Sequence, residues 1–209
     1  MALPVHDLPL FVAAALLLNL TPGPDMLYVA GTAAARGVRH GIAAALGIGV
    51  GCGVHIALGA LGVSALIAAS PTAFGVLKAA GAVYLVWAGI ALWRRRDEPA
   101  TRAPQPASAA RAFAQGALVN ALNPKVALFF LALLPQFIDA GKAGQAAAFV
   151  ALGLLFDAGG TAVNIAVAAG LGLASARLAR AAAVRRWLER TAGALFVPLG
   201  LRLALGARG

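Results

Sequence analysis

The sequence predicts an all-α, polytopic membrane protein: six transmembrane helices in two inverted three-helix halves. Three observations carry this expectation. Only 11% of the 209 residues are charged and 61% are hydrophobic, whereas a soluble domain carries about 25% charged residues. With a mean hydropathy of +0.86, most of the surface must face lipid. The apolar residues form six stretches, Leu8–Ala35, Ile42–Ala69, Thr72–Trp93, Phe113–Ile138, Gln145–Leu173 and Thr191–Leu205. A crossing helix needs about 20 residues; the sixth stretch is the weakest, being short and holding Pro198 and Arg202. Finally, twelve of the 14 arginines fall on the odd-numbered connections. Basic connections stay in the cytoplasm, so both termini are expected outside.

The formal net charge of +10 would point to nucleic acid in a soluble protein. Against this apolar background it sets orientation instead, and no nucleic-acid partner is expected. The single cysteine, Cys52, excludes an intrachain disulfide and a thiol-based metal cluster. No Lys or Arg precedes the first apolar run, whereas Asp7 does. The run therefore reads as a retained helix rather than a cleavable signal peptide.

The first segment contains Thr21-Pro22-Gly23-Pro24-Asp25. Two prolines remove two backbone donors and their rings clash with the preceding turn, so the helix must break. The break frees carbonyls before it and opens a helix N-terminus after it, tolerable at membrane depth only against protein or a water-filled cavity. Asp25 then sits in the first turn of the second half-helix, where the dipole favours an anion. A structural kink capped by Asp25 is the alternative, although a cap does not explain a carboxylate so far from either end.

In the second segment Gly47, Gly49, Gly51 and Gly53 make two interleaved pairs of small residues that permit close helix approach. His55 follows on the same helix and reads as a hydrogen-bonded packing residue. No second His or Cys stands at metal spacing, so neither a metal site nor a cofactor is expected. The serines lie in no nucleophile-elbow context, and an enzyme is not expected.

After the third segment, residues 94–112 carry Arg94, Arg95, Arg96, Arg102 and Arg111 among prolines and alanines. This stretch reads as a cytoplasmic linker within a single membrane domain, joining a half at 1–93 to one at 113–209. Three crossings are an odd number, so the second half enters from the opposite side, as in inverted-topology transporters. Asn19-Leu-Thr-Pro22 is echoed by Asn120-Ala-Leu-Asn123-Pro124, each in the first helix of its half. Prolines in corresponding segments are the expected pointer to a binding site.

The fourth segment holds Asn120, Asn123, Pro124 and Lys125. A lysine near the bilayer centre costs about 3 kcal/mol or more unless paired or hydrated. Lys125 is either a functional cation beside a helix break or a side chain snorkelling from a helix that begins at Pro124. In the fifth segment Asp157, Thr161 and Asn164 are spaced i, i+4 and i+7 and share one face. That face should turn into the bundle, making Asp157 either a proton carrier or a structural hydrogen-bonding residue.

The sequence resembles the lysine exporter (LysE/RhtB-type) family. The resemblance runs through Thr21-Pro22-Gly23-Pro24-Asp25, Lys78-Ala-Ala-Gly-Ala-Val-Tyr84-Leu-Val-Trp87-Ala-Gly89, Asn120-Ala-Leu-Asn123-Pro124-Lys125, Leu134-Pro135-Gln136-Phe137 and Gly200-Leu201-Arg202-Leu203. It implies a multi-pass efflux transporter of the bacterial inner membrane for lysine, threonine, homoserine, homoserine lactone or similar molecules. It also implies coupling to protons, by antiport, and assembly into homo-oligomers. A zwitterionic amino acid needs an anion and a cation at membrane depth. Asp25, with Asp157, would receive the ammonium or exchange a proton, and Lys125 with the amides at the breaks would receive the carboxylate. A metal-cation exporter of related architecture and a membrane subunit without transport of its own are the alternatives.

Overall fold

The computed structural model describes residues 3–69, 107–139 and 142–173, together with residues 79, 83, 86, 87, 90, 194, 197 and 201. Apart from those single positions, the third and sixth apolar segments lie outside the described residues. So do the linker up to residue 106 and the arginines of the fifth connection. The described elements are helices: α1 (Leu8–Leu20), α2 (Pro24–Arg36), α3 (Val38–Ala69), α4 (Ala109–Ala121), α5 (Pro124–Leu128) and α6 (Gln145–Leu173). Beyond α5 the chain continues through a π-helical turn, Phe129–Leu133, and a 3₁₀ turn, Leu134–Phe137. No strand occurs among the described residues; an isolated antiparallel bridge joins Val5 to Ile138.

Two helical stretches, Val38–Gly62 in α3 and Gln145–Gly170 in α6, are long and apolar enough to cross a bilayer. Two further crossings arise if each bent pair is one span: Leu8–Leu20 with Pro24–Arg36, bent by 47°, and Ala109–Ala121 with Pro124–Phe137, bent by 44°. The first segment is thus two half-helices of 13 residues each, about 20 Å apiece. The fourth starts at Ala109, four residues ahead of the expected Phe113, because Ser108 accepts the Arg111 amide at 3.2 Å and caps the helix.

Glycines set the packing of α3. A Cβ on Gly47 would lie 2.0 Å from Phe113 O, and one on Gly51 would lie 2.3 Å from Ala117 O. Residue numbers rise together on both helices, so α3 and α4 run parallel. Gly59 meets the Phe149 ring and Gly41 meets Ala168, so α6 runs antiparallel to α3. One end of the bundle therefore gathers the α2–α3 turn with exposed Arg36 and Arg39, the start of α4 with exposed Arg111, and the end of α6. Gly37, at φ 86°, makes that turn in a conformation an L side chain rarely adopts. The opposite end gathers residues 3–7, 138–139 and 142–145. It follows that α1–α2 and α4–α5 cross the bundle in opposite directions.

Two cores fill the ends. Phe11, Phe129, Phe130, Phe137, Phe149 and Phe156 pack with Val5 and Ile138 toward the N-terminal end. Phe129 stacks on Phe156 at 4.4 Å, and Phe11 meets Phe137 edge-on at 5.3 Å. Val29, Ala33, Ala44, Ala45, Ile48, Ala112 and Ala168 pack toward the arginine end.

At the N-terminal end the chain is clasped across its own fourth connection. The His6 amide donates to Phe137 O at 3.1 Å and the Asp139 amide to Pro4 O at 3.0 Å. His6 Nδ1 lies 3.0 Å from Asp139 Oδ1, and Lys142 Nζ donates to Asp139 Oδ2 at 2.8 Å. The Lys142 hydrogen bond, with His6 adding to it, holds the Asp139 carboxyl below the usual carboxylate range. A depressed folded-state value strengthens the clasp above the unfolded-state pKa and loses it as pH falls through the folded one. At pH 7, Asp139→Asn should therefore speed amide exchange at residues 3–7 with little change in Tm. Acidifying the wild type below about pH 4 should do the same, and mass-spectrometric hydrogen exchange on that peptide reads both.

Candidate functional site

Each broken helix is built by the same local rules. α1 ends where Pro22 and Pro24 withhold their donors; the Thr21 amide turns back to Leu17 O at 2.9 Å, and its hydroxyl to the same oxygen at 2.6 Å. Pro24 then opens α2, where a missing N–H costs nothing. In the second break Asn123 caps α5, its Oδ1 accepting the Lys125 amide at 3.0 Å, and Pro124 takes the first helical position.

The two breaks brace each other. Lys125 Nζ donates to Leu18 O and to Thr21 O, both at 2.7 Å. An ammonium from the second broken helix thus closes the carbonyl end of α1, where the helix dipole is negative. Lys125 turns inward and does not snorkel. In return Asp25, in the first turn of α2, accepts Asn120 Nδ2 at 3.0 Å from the last turn of α4. The N-cap position of α2 is Gly23, which has no side chain to cap with. The Asn123 amide, Lys125 and His55 all face the Asp25 carboxylate. Three buried atoms here complete no hydrogen bond among the described residues: Asp25 Oδ1, Asn120 Oδ1 and Asn123 Nδ2. Buried polar atoms are seldom left so.

Between the breaks and α6 lies a cavity of about 30 Å³, room for about two waters. Thr21, Gly23, Asp25, Asn120, Lys125, Asp157 and Asn164 line it. Pro22, Pro24, Asn123 and Pro124 adjoin lining residues in the chain but do not line it themselves. Thr161 Oγ1 lies 3.4 Å from Asp157 Oδ1, and both pack over Gly49, where a Cβ would come within 2.8 Å of the Thr161 hydroxyl. Cys52 adjoins Asp157 from α3. Phe156, part of the phenylalanine core, also lines the cavity.

Three polar residues join the site beyond those the sequence singled out for it. Asn19 lines the cavity and donates through Nδ2 to Phe156 O at 3.0 Å; its signal was the echo between Asn19 and Asn120. Cys52 had none, since its meeting with Asp157 depends on how α3 and α6 pack. His55 is a buried hydrogen-bonded residue as expected, but its partner is a site residue. Nε2 lies 2.9 Å from Asn120 O; a carbonyl only accepts, so Nε2 carries the proton. The ring stacks on Phe130 at 5.9 Å.

The profile of the family described as "LysE type translocator" matches residues 16–207. The chain belongs to the LysE type translocator family. Among curated relatives, this translocator is 33% identical to an "Uncharacterized membrane protein" of Vibrio cholerae over 96% of this chain and 97% of the other. It is 32% identical to a "Homoserine/homoserine lactone efflux protein" of Salmonella typhimurium over 93% and 94% of the two chains. A "Leucine efflux protein" of Klebsiella pneumoniae is 33% identical over 70% of each. No solved structure matches the chain. The family and the apolar helices together make this translocator a multi-pass membrane protein.

Proposed function

We propose that this translocator exports amino acids or close derivatives across the bacterial inner membrane in exchange for protons, with Asp25 and Lys125 at the centre of its substrate site. One observation carries the reading: two broken helices present a carboxylate and an ammonium to one cavity, beside the unpartnered oxygens of Asp25 and Asn120. Two acceptors suit a substrate ammonium. Lys125 is a donor of the kind a substrate carboxylate takes. The relatives named for homoserine and leucine efflux support small amino acids as cargo. Among the described residues no group of three His, Cys, Asp or Glu side chains is gathered as a metal cargo would require.

The antiparallel course of the two broken helices supports six crossings in two inverted halves, 1–93 and 113–209. The shared end of Arg36, Arg39 and Arg111 supports a cytoplasmic face there, with both termini outside. A cavity of about 30 Å³ is too small for an amino acid. Substrate therefore enters only when one half rocks against the other, and the proline breaks are the places that can yield. Asp157, held by Thr161 across the cavity from Asp25, is the proton carrier of this scheme.

Purified protein in liposomes tests the reading. Labelled homoserine, threonine, leucine and lysine trapped inside should leave faster under an imposed pH gradient, for at least one of the four. Transport of none, with or without the gradient, would sink it. Asp157→Asn should keep substrate-for-substrate exchange while losing acceleration by the gradient. Equal gradient responses in the variant and the wild type would remove Asp157 from the coupling.

A further inference from the structure

Broken helices in transporters commonly end in free backbone carbonyls, and in sodium-coupled transporters those carbonyl ends coordinate the sodium ion. The end of α1 has this form. Thr21 O and Leu18 O, the latter also accepting the Thr21 amide at 3.2 Å, converge at membrane depth, and carbonyl lone pairs left without a donor there are costly. Asp25, in the first turn of α2, adds a negative charge beside them, and His55 faces Asp25 from α3. Asp157 on α6 lines the far side of the same cavity. What sits on the two carbonyls is Lys125 Nζ, at 2.7 Å from each, within the range of a charge-assisted hydrogen bond.

Gly23 makes room for it. A Cβ at that position would lie 3.3 Å from Lys125 Cδ and 3.4 Å from Nζ, pressing on the stem just where it crosses the break. The lysine therefore passes over the one residue between the two prolines and delivers its charge to the mouth of α1. We infer that the carbonyl end of α1 is a monovalent-cation site which the protein fills with its own Lys125 ammonium, so that transport requires no sodium ion. The tether supplies the cation at fixed stoichiometry, from the opposite broken helix. It also links the halves: when a substrate carboxylate draws the ammonium away, the end of α1 loses its partner and the break is loosened.

The transport arm of the test rests on the export reading; the stability arm does not. Wild-type protein in liposomes should transport equally in sodium and in choline buffer, and a sodium requirement would overturn the inference. Lys125→Ala vacates the site while leaving both carbonyls and Asp25. Sodium or methylammonium should then raise the Tm of purified K125A by about 3–6 °C. Choline, too large for the site, should not, and neither ion should shift the wild type. Lys125→Arg should behave as the wild type in these salts. If K125A does not fold, Lys125→Gln, whose shorter polar chain keeps part of the packing, takes its place in the same comparison. A folded truncation variant that responds to sodium and methylammonium no more than to choline overturns the inference, whatever the transport assays show.

Discussion

Asp25→Asn should abolish export while leaving the protein folded. The substitution keeps the shape and an acceptor for Asn120, and it removes the charge that a substrate ammonium needs. Truncating one side of a buried charge pair costs about 2–5 kcal/mol, which is about 30-fold to 4,000-fold in apparent affinity. Stability should move the other way or not at all. Asp25 Oδ1 is buried without a hydrogen-bond partner among the described residues, and an unsatisfied buried carboxylate is a burden on the fold. The measurement is efflux from liposomes alongside Tm in detergent. A folded Asp25→Asn protein that exports at the wild-type rate would remove Asp25 from the site. Asn120→Ala makes a useful companion: it takes away the donor to Asp25 Oδ2 and a second acceptor, and should cost less than the loss of the charge.

The position of both helix breaks was legible because proline and asparagine act locally. Pro22 and Pro24 cannot donate, and Asn123 followed by Pro124 is a favoured cap and first helical residue. The same locality brought Asp25 and Lys125 into view, each beside its break. Their meeting was not legible in the same way. Lys125 reaches carbonyls 107 and 104 positions earlier in the chain, and nothing in either segment alone specifies that crossing. The opposite courses of α1–α2 and α4–α5 narrow the possibilities, since breaks midway along two such helices come to similar depth. Even so, a zwitterion pair would have placed Lys125 across from Asp25 rather than upon the end of α1. Asp157 and Thr161 were legible as one face, but not what that face would meet.

The α3 glycines separate what spacing can reveal from what it cannot. Four glycines at alternate positions predict close packing without saying which of them is used. Gly47 and Gly51 face α4, and in each case the obstruction to a methyl group is a backbone carbonyl, 2.0 Å or 2.3 Å away. A carbonyl in a helix has no rotamer to yield, so the helices themselves must part. Such overpacking costs about 1–3 kcal/mol per added group, or about 2–12 °C in Tm for a chain of this size. Gly47→Ala and Gly51→Ala should each show that loss, and the double variant should fail to accumulate in the membrane. Parting α3 from α4 also moves Asn120, whose own Cβ lies 3.0 Å from a Cβ built on Gly51. Export should therefore fall further than stability alone explains in Gly51→Ala. Gly53, two residues on, meets nothing within 4 Å, and Gly53→Ala should be neutral or stabilising by about 1 kcal/mol through helix propensity. A thermal-shift series across these positions decides the matter. Equal effects at Gly51 and Gly53 would mean that α3 does not pack on α4 through the Gly47–Gly51 face.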